Sequence, residues 1–225
     1  MRVLKGLSWV LFPVVVIMVM TLLMASSKGF YTYQYEKNNI YEATGITRED
    51  MPEVIDRLSG YVVGRYKTLN HEVTIHGKTE MIYGDREIAH MKDVKLIFDG
   101  LRYAGVVYLI LLLTAAYASA KEKKLATYFV KLSHYGLYGS VVLVAAVGIL
   151  VASDFSRYFV VFHELFFSND LWLLDPRTDV LIQMLPESFF MEMAIVILAL
   201  SFALNLVMFV VSGQVKRHLV ENKRK

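Results

Sequence analysis

Residues 153–190 read SDFSRYFVVFHELFFSNDLWLLDPRTDVLIQMLPESFF and stand between two apolar runs, 135–152 and 193–211. Each run meets the length test for a bilayer-spanning helix, roughly 17–25 predominantly apolar residues. The stretch between them therefore leaves the membrane and returns to it. It is crowded with aromatic rings and holds one histidine, His163. On a helix Phe155, Phe159, Phe162 and Phe166 share a face, and His163 borders that stripe. An imidazole is the one side chain there able to accept and donate a proton near neutral pH.

Working outward, the chain of 225 residues is 56% hydrophobic with a mean hydropathy of +0.43, too apolar for an ordinary soluble domain. Runs 7–25 and 104–120 meet the same length test. The expected fold class is an α-helical polytopic membrane protein, with four transmembrane helices and an extracellular α+β cap. The first run follows Arg2 and Lys5 and precedes Ala25, Ser26 and Ser27, as a secretory signal would. It exceeds the about 7–15 apolar residues of a signal core, so it reads as a retained anchor. Cysteine is absent, which excludes a disulfide framework, a thiol nucleophile and a cysteine-ligated metal.

The net charge of +3 says little by itself, but the placement of charge sets orientation. Lys121, Lys123 and Lys124 follow the second run, and Lys216, Arg217, Lys223, Arg224 and Lys225 follow the fourth. With Arg2 and Lys5 they mark the cytoplasmic side, so both termini are expected there. The last link carries only Arg157 and Arg177 against Asp154, Glu164, Asp170, Asp175, Asp179 and Glu187, and belongs outside. The expected organisation is a transmembrane core of residues 1–25, 101–152 and 191–215 and an extracellular cap over 26–100. A second extracellular, aromatic-rich segment covers 153–190, and a basic cytoplasmic tail covers 216–225.

Within the first run Pro13 is placed to kink the helix, and Thr21 to bond back to its own backbone. The aromatic and polar alternation of YTYQYEKNNIY predicts a short strand or an interfacial stretch. Thr47 and Asp50 form a capping-box-like pair that predicts a helix over about 48–58, stopping near Gly60. Residues 69–83 predict a hairpin turning at 76–78, with Val73 and Ile75 on one face, Met81 and Tyr83 opposite, and His71 and His76 on the wet side. Asp85 is expected to cap a helix that runs on into the second span, with His90, Asp93, Val94, Ile97 and Leu101 on one stripe. Asp93 lies one turn beyond His90, near enough to orient the ring.

Arg102 and Tyr103 meet the membrane: a snorkelling cation and a member of the aromatic belt, or, for Arg102, a group that polarises a substrate carbonyl. Residues 125–133 are expected along the inner interface, with His134 solvated there. Gly136 and Gly139 predict close helix contact, and Asn205 an interhelical hydrogen bond. Asp154 is expected to cap the aromatic helix, Asp175, Pro176 and Asp179 to start a second short one, and Pro186 to open the last. Trp172, Phe189 and Phe190 then gather at the outer surface, an anchor or an acyl-chain pocket. Glu192, an acid near membrane depth, requires a partner.

His163 and Glu164 begin like a zinc-protease helix, but residue 167 is Phe where a second histidine is required. There is no nucleophile elbow and no glycine-rich phosphate loop, and nothing implies a metal or cofactor. The basic clusters are explained by orientation, so no nucleic-acid partner is expected. His90 and His163 remain. Taken alone they are either hydrogen-bonded interfacial side chains or, if they face one another, an acid and base pair for a reaction whose substrate brings both the attacking group and the acyl group.

The stretches FHELFFSNDLWLLDPRTDVLIQMLPESFF and EIAHMKDVK, in a four-span layout with an outer cap, resemble the bacterial lipoprotein intramolecular transacylases. The resemblance implies transfer of the sn-2 acyl chain of the diacylglyceryl group to the amine of a lipoprotein's N-terminal cysteine, giving a lyso-form lipoprotein. It implies His90 and His163 as the catalytic residues at the bacterial cell membrane, with diacylglyceryl lipoproteins and membrane lipid as partners. One ring would withdraw the amine proton; the other, as imidazolium, would stabilise the oxyanion and protonate the leaving oxygen. Asp93 is expected to orient His90, and Glu164 or Asn169 to support His163. Phe162, Phe166, Phe167, Trp172, Arg102 and Tyr103 are the expected substrate contacts. The rival readings are a membrane module that binds lipid or lipoprotein without catalysis, and an acyltransferase drawing on phospholipid.

Overall fold

A computed structural model describes residues 1–221, and four of its helices are long and apolar enough to cross a bilayer. They are α1 (Arg2–Ala25), α5 (Asp85–Lys121), α6 (Leu125–Phe166) and α8 (Glu187–Glu221). Between α1 and α5 lie α2 (Lys28–Lys37), α3 (Ile40–Thr44), α4 (Met51–Val62) and the hairpin strands β1 (Glu72–Ile75) and β2 (Lys78–Met81); α7 (Val180–Met184) precedes α8. At 37 residues α5 measures about 55 Å, far more than the ~30 Å hydrocarbon core. Its polar first turns, which include His90, therefore precede its apolar run. Of the predicted basic tail, Lys223, Arg224 and Lys225 fall outside the described residues.

The chain forms two compact units: one of Met1–Thr21, Arg102–Ser153 and the residues from Ala194, the other of Leu22–Leu101 and Asp154–Met193. In the first, small and polar residues let the spanning helices approach. A Cβ on Gly139 would lie 2.4 Å from Pro13, and one on Gly136 2.4 Å from Asn205 Oδ1, so both glycines are close-contact positions as predicted. The Ser8 and Tyr128 hydroxyls share a hydrogen bond of 2.8 Å, and Tyr108 donates to the Ser8 carbonyl. Thr21 bonds back to Ile17, as expected.

Three expectations for this unit fail. Asn205 donates to Ser201 on its own helix, because Gly136 brings a bare backbone against it and offers no donor for its buried Oδ1. His134 is half-buried and lies against Tyr138 and Phe209, with Nδ1 donating to the Val130 carbonyl. Residues 125–133 belong to α6 itself and form no separate interfacial segment, since the Lys124 N–H returns to Ser119 and the helix restarts at once.

The second unit gathers a core from both of its stretches, with Tyr35, Met51, Val54, Leu58, Met184 and Phe189 inside. The predicted strand over YTYQYEK is helix α2. Ser27 caps it by accepting from the Phe30 N–H, and Tyr31, Gln34 and Tyr35 bury at helical spacing, which outweighs the alternating pattern. Helix α4 begins three residues later than expected, after a turn in which Thr47 Oγ1 accepts from the Asp50 N–H and the Asp50 carboxylate accepts from Thr74. The hairpin turns where predicted, with His76 and Gly77 at φ +49° and +80°, a primed two-residue turn. Val73 and Ile75 are buried and Tyr83 joins the core, but Met81 is 58% exposed because its strand is the uncovered edge.

Phe189 is not part of a surface belt: at 1% exposure it packs under Phe30 and Tyr31. The carboxylate of Glu192 finds its partners on α2, accepting from Gln34 at 2.7 Å and Lys37 at 2.6 Å. The turn at Asp175 and Pro176 precedes α7 but does not belong to it; the Asp179 carboxylate turns back to the Asp175 N–H instead of capping the helix.

Candidate active site

Three anchors fix the site within the second unit. At the start of α5 the Glu87 carboxylate, 3% exposed, accepts from the N–H of Gly84 at 2.7 Å and of Leu181 at 2.6 Å. It caps α5 and ties that helix to α7. Asp85, the expected cap, is exposed. His90 follows Glu87 by one turn and is buried, and its Nδ1 has no hydrogen-bond partner.

The second anchor is Asp154, whose backbone leaves helical geometry at φ −166° and splits α6. Its carboxylate caps the next turns by accepting from the Arg157 N–H, as predicted. The aromatic helix beyond carries His163, whose Nδ1 lies 2.7 Å from the Phe159 carbonyl. A carbonyl only accepts, so Nδ1 bears the hydrogen and the lone pair of the neutral ring sits on Nε2.

The third anchor holds the turn after that helix to α5. Asn169 donates to Asp93 Oδ2 at 2.9 Å while its own oxygen accepts from the Leu171 N–H, and Arg86 donates to the Asp170 carbonyl. The two imidazoles thus meet with ring centroids 6.2 Å apart. Phe167 touches both, at 5.1 Å from His90 and 5.6 Å from His163. Phe159, Trp172 and Phe162 complete the cage around His163 at 4.4, 4.9 and 5.5 Å. Beside the pair, Asp93, Leu96, Ile97, Phe166, Phe167, Ser168 and Asn169 line an open hollow of about 300 Å³.

Burial disfavours a charged imidazole, and it does so for both rings, which lie outside the apolar runs. Desolvation, with the neighbouring His163 acting in the same direction and Asp93 against it, pushes His90 down to about 4. Desolvation also lowers His163, partly offset by its bond to the Phe159 carbonyl. Both rings are neutral at pH 7, so the expectation that one acts as a resident imidazolium gives way to burial. Burial raises Glu87, against the pull of its two backbone donors.

Other expectations shift as well. Asp93 does not hydrogen-bond His90; its carboxylate is turned to Asn169, and it acts on the ring only through its charge. Asn169 reaches α5 instead of His163. Glu164 is exposed on the far side of the aromatic stripe. Phe166 and Phe167 line the hollow and Trp172 lies on His163, whereas Phe162 does not line it but packs behind Phe166 at 4.7 Å and Phe167 at 6.5 Å. Arg102 and Tyr103 belong to the other unit and do not line the hollow. Glu87 was not singled out from sequence, and Phe159 was placed on the aromatic stripe but not as the partner of His163. An acid three residues after Gly84 was the available signal for the first.

The family profile for the lipoprotein intramolecular transacylase Lit matches residues 6–190. Among solved structures, the membrane-integral lipoprotein intramolecular transacylase Lit from Bacillus cereus is 24% identical, with a TM-score of 0.78 over 99% of this chain and 97% of that one. Two variants of that enzyme, with a histidine replaced by arginine or by alanine, are 23% identical with TM-scores of 0.75; each covers 99% of this chain, and 93% and 94% of the respective relative. At that identity they show the fold. No curated protein matches. The profile takes in α1 through the first turn of α8, and with it both histidines and every anchor that holds them, so the chain belongs to the lipoprotein intramolecular transacylases, multi-pass membrane enzymes that move an acyl group within a lipoprotein.

Proposed function

We propose that this chain moves the sn-2 acyl group of a diacylglyceryl lipoprotein onto the N-terminal cysteine amine of the same molecule, with His163 as base and His90 as the neutral hydrogen-bond donor. The observation that carries the reading is the pair of neutral imidazoles 6.2 Å apart in an aromatic cage beside an open hollow. Such a pair needs no enzyme nucleophile, because the substrate supplies its own.

His163 Nε2 withdraws a proton from the amine as nitrogen bonds to the ester carbonyl carbon. The resulting imidazolium is stabilised by the Phe159 carbonyl. His90, too buried to hold a charge at rest, donates its N–H to the developing oxyanion. The carbon–oxygen bond to the glyceryl group then breaks, and His163 returns the proton to that oxygen. One amide forms, one ester is lost, and no atom enters or leaves. Phe162, Phe166, Phe167 and Trp172 hold acyl chains against the pair.

The basic residues Lys121, Lys123, Lys124, Lys216 and Arg217 support an orientation with both ends of this sequence in the cytoplasm and the histidines at the extracellular face. A tag appended after residue 225 is expected to stay protected from a probe outside intact cells, and labelling there would invert the orientation.

The reaction is tested by mass spectrometry on a synthetic diacylglyceryl lipopeptide. Unchanged mass with the acyl chain on nitrogen in fragmentation is the expected result. A gain of one acyl mass would replace the reading by transfer from phospholipid. No conversion by a folded preparation would replace it by a binding module.

A further inference from the structure

Asp93 is expected from sequence to hold His90, and the structure turns it elsewhere. Asn169 takes Oδ2 at 2.9 Å, and among the described residues Oδ1 has no hydrogen-bond partner. Asp93 is also one of the residues that line the hollow beside the histidines, with Ser168 and Asn169 as further polar residues and Leu96, Ile97, Phe166 and Phe167 as an apolar wall. Phe167 is common to that wall and to both imidazoles. A ligand seated there meets one fixed negative charge and a greasy surface one ring away from the histidine pair.

We propose that this hollow is the amine subsite, in which Asp93, held by Asn169, binds the α-ammonium of the substrate's N-terminal residue while the apolar wall takes the carbon chain beside it. The assignment rests on the reading of the chain as a transacylase and adds which group of the substrate lies where.

A free α-amine has an ordinary pKa of about 7.7–8.0 and is largely an ammonium at neutral pH. A carboxylate with an unoccupied oxygen is the group that recognises it, through a charge-assisted hydrogen bond. Asn169 serves the carboxylate as a rotational lock: its amide nitrogen fixes one oxygen, its amide oxygen is fixed by Leu171, and the second carboxylate oxygen is left for the ligand. Docking the ammonium fixes the nitrogen near the pair before it releases one proton to solvent and attacks as the neutral amine, which lowers the cost of bringing a distant ester and amine together.

The test uses probes that bind without reacting. A dialkylglyceryl cysteine lipopeptide, with ethers in place of esters, is compared with the same molecule lacking the α-amino group, each displacing a fluorescently labelled dialkylglyceryl lipopeptide from the protein in nanodiscs. In the wild-type protein the amine-bearing probe is expected to compete about 10-fold better or more, the low end for a hydrogen bond to a charged group at a half-exposed site. In Asp93→Asn, which still accepts from Asn169, that preference is expected to fall below about threefold while the des-amino probe binds as before. Equal competition by the two probes in the wild type overturns the proposal with no variant involved. Equal losses for both probes in Asp93→Asn overturn it as well, because they would mark a role in shape alone. The probes report binding, so failure of the acyl-transfer reading would appear instead as an absence of product from the ester substrate.

Discussion

Replacing Glu87 by Gln is expected to loosen the start of α5 and to carry His90 with it. The carboxylate serves two backbone N–H groups, at 2.6 and 2.7 Å, from a position only 3% exposed. Hydrogen bonds to a charged acceptor contribute about 1.5–3 kcal/mol each, and a buried donor left without one costs about 1–3 kcal/mol. Gln offers one carbonyl oxygen, which restores a neutral bond to Gly84 or Leu181 and sets an amide N–H₂ against the other. The expected loss is about 2–4 kcal/mol, and about 3–6 kcal/mol for Glu87→Ala, against the about 5–15 kcal/mol typical of a whole domain. In detergent, with Trp9→Phe so that Trp172 reports on the unit containing His163, Glu87→Gln should lower the unfolding midpoint by about 5–15 °C, at about 2–4 °C per kcal/mol. Below that midpoint kcat should fall more than KM rises, because His90 is displaced while the hollow's walls stay. A Gln variant within about 1 °C of the wild type, or one no milder than Ala, would refute the claim that these two bonds hold the helix.

His90→Ala and His163→Ala should each cut transfer by about 100-fold to 10,000-fold with the circular dichroism unchanged, and full activity in either would remove that ring from the chemistry. Because burial holds both imidazoles below the ordinary histidine value, kcat/KM should fall with slope near one below about pH 8 as the substrate amine protonates, and steepen only below about pH 6.5. An enzyme limb at or above that value, unmoved by a less basic substrate amine, would contradict the burial argument. The same depression acts on stability: between about 4 and the ordinary histidine range the unfolded chain binds more protons than the folded one. Stability present above that range is therefore lost as pH falls through about 4, and Tm should decline with acidification less steeply in His90→Ala. Gly139→Leu places side-chain atoms where a Cβ alone would already lie 2.4 Å from Pro13, and should cost at least about 1–3 kcal/mol in detergent unfolding, whereas Gly148→Leu, with nothing within 4 Å, should be nearly neutral.

The four spans, the cap at Asp154, the primed turn at His76 and Gly77 and the meeting of His90 with His163 were legible because each rests on local rules or on family resemblance. Apolar length needs no knowledge of neighbours, nor does an aspartate three residues before the N–H it accepts. What was not legible depended on partners far along the chain. Glu192 announced that it needed a partner, but the partners are Gln34 and Lys37, and nothing near residue 192 points to them. The alternation Tyr31, Tyr33, Tyr35 fits a strand, and only the burial of Gln34 beside Tyr31 and Tyr35 makes the helix. Glu87 lost to Asp85 as the expected cap because both stand in the first turn. The structure decides by offering Glu87 a second donor, Leu181, from α7.

The correction at Asp93 follows from the same difference in range and changes the chemistry most. Helical spacing puts Asp93 one turn from His90, and from that spacing alone a carboxylate and imidazole pair is the natural expectation. Such a pair would stabilise an imidazolium at His90 and raise its affinity for a proton. The turn at 166–169 supplies Asn169, which claims the carboxylate, and Phe167, which covers the ring. Burial, to which Phe167 adds, and the neighbouring His163 keep His90 a neutral donor, while Asn169 takes only one oxygen of the Asp93 carboxylate. Charge on the histidines at rest would oppose an approaching ammonium; two neutral rings beside one fixed anion favour it. The polarity of the site thus suits a nucleophile that arrives as an ammonium, releases one proton to solvent through the open hollow and reacts as the neutral amine, with His163, held by the Phe159 carbonyl, taking the second proton as nitrogen bonds to carbon.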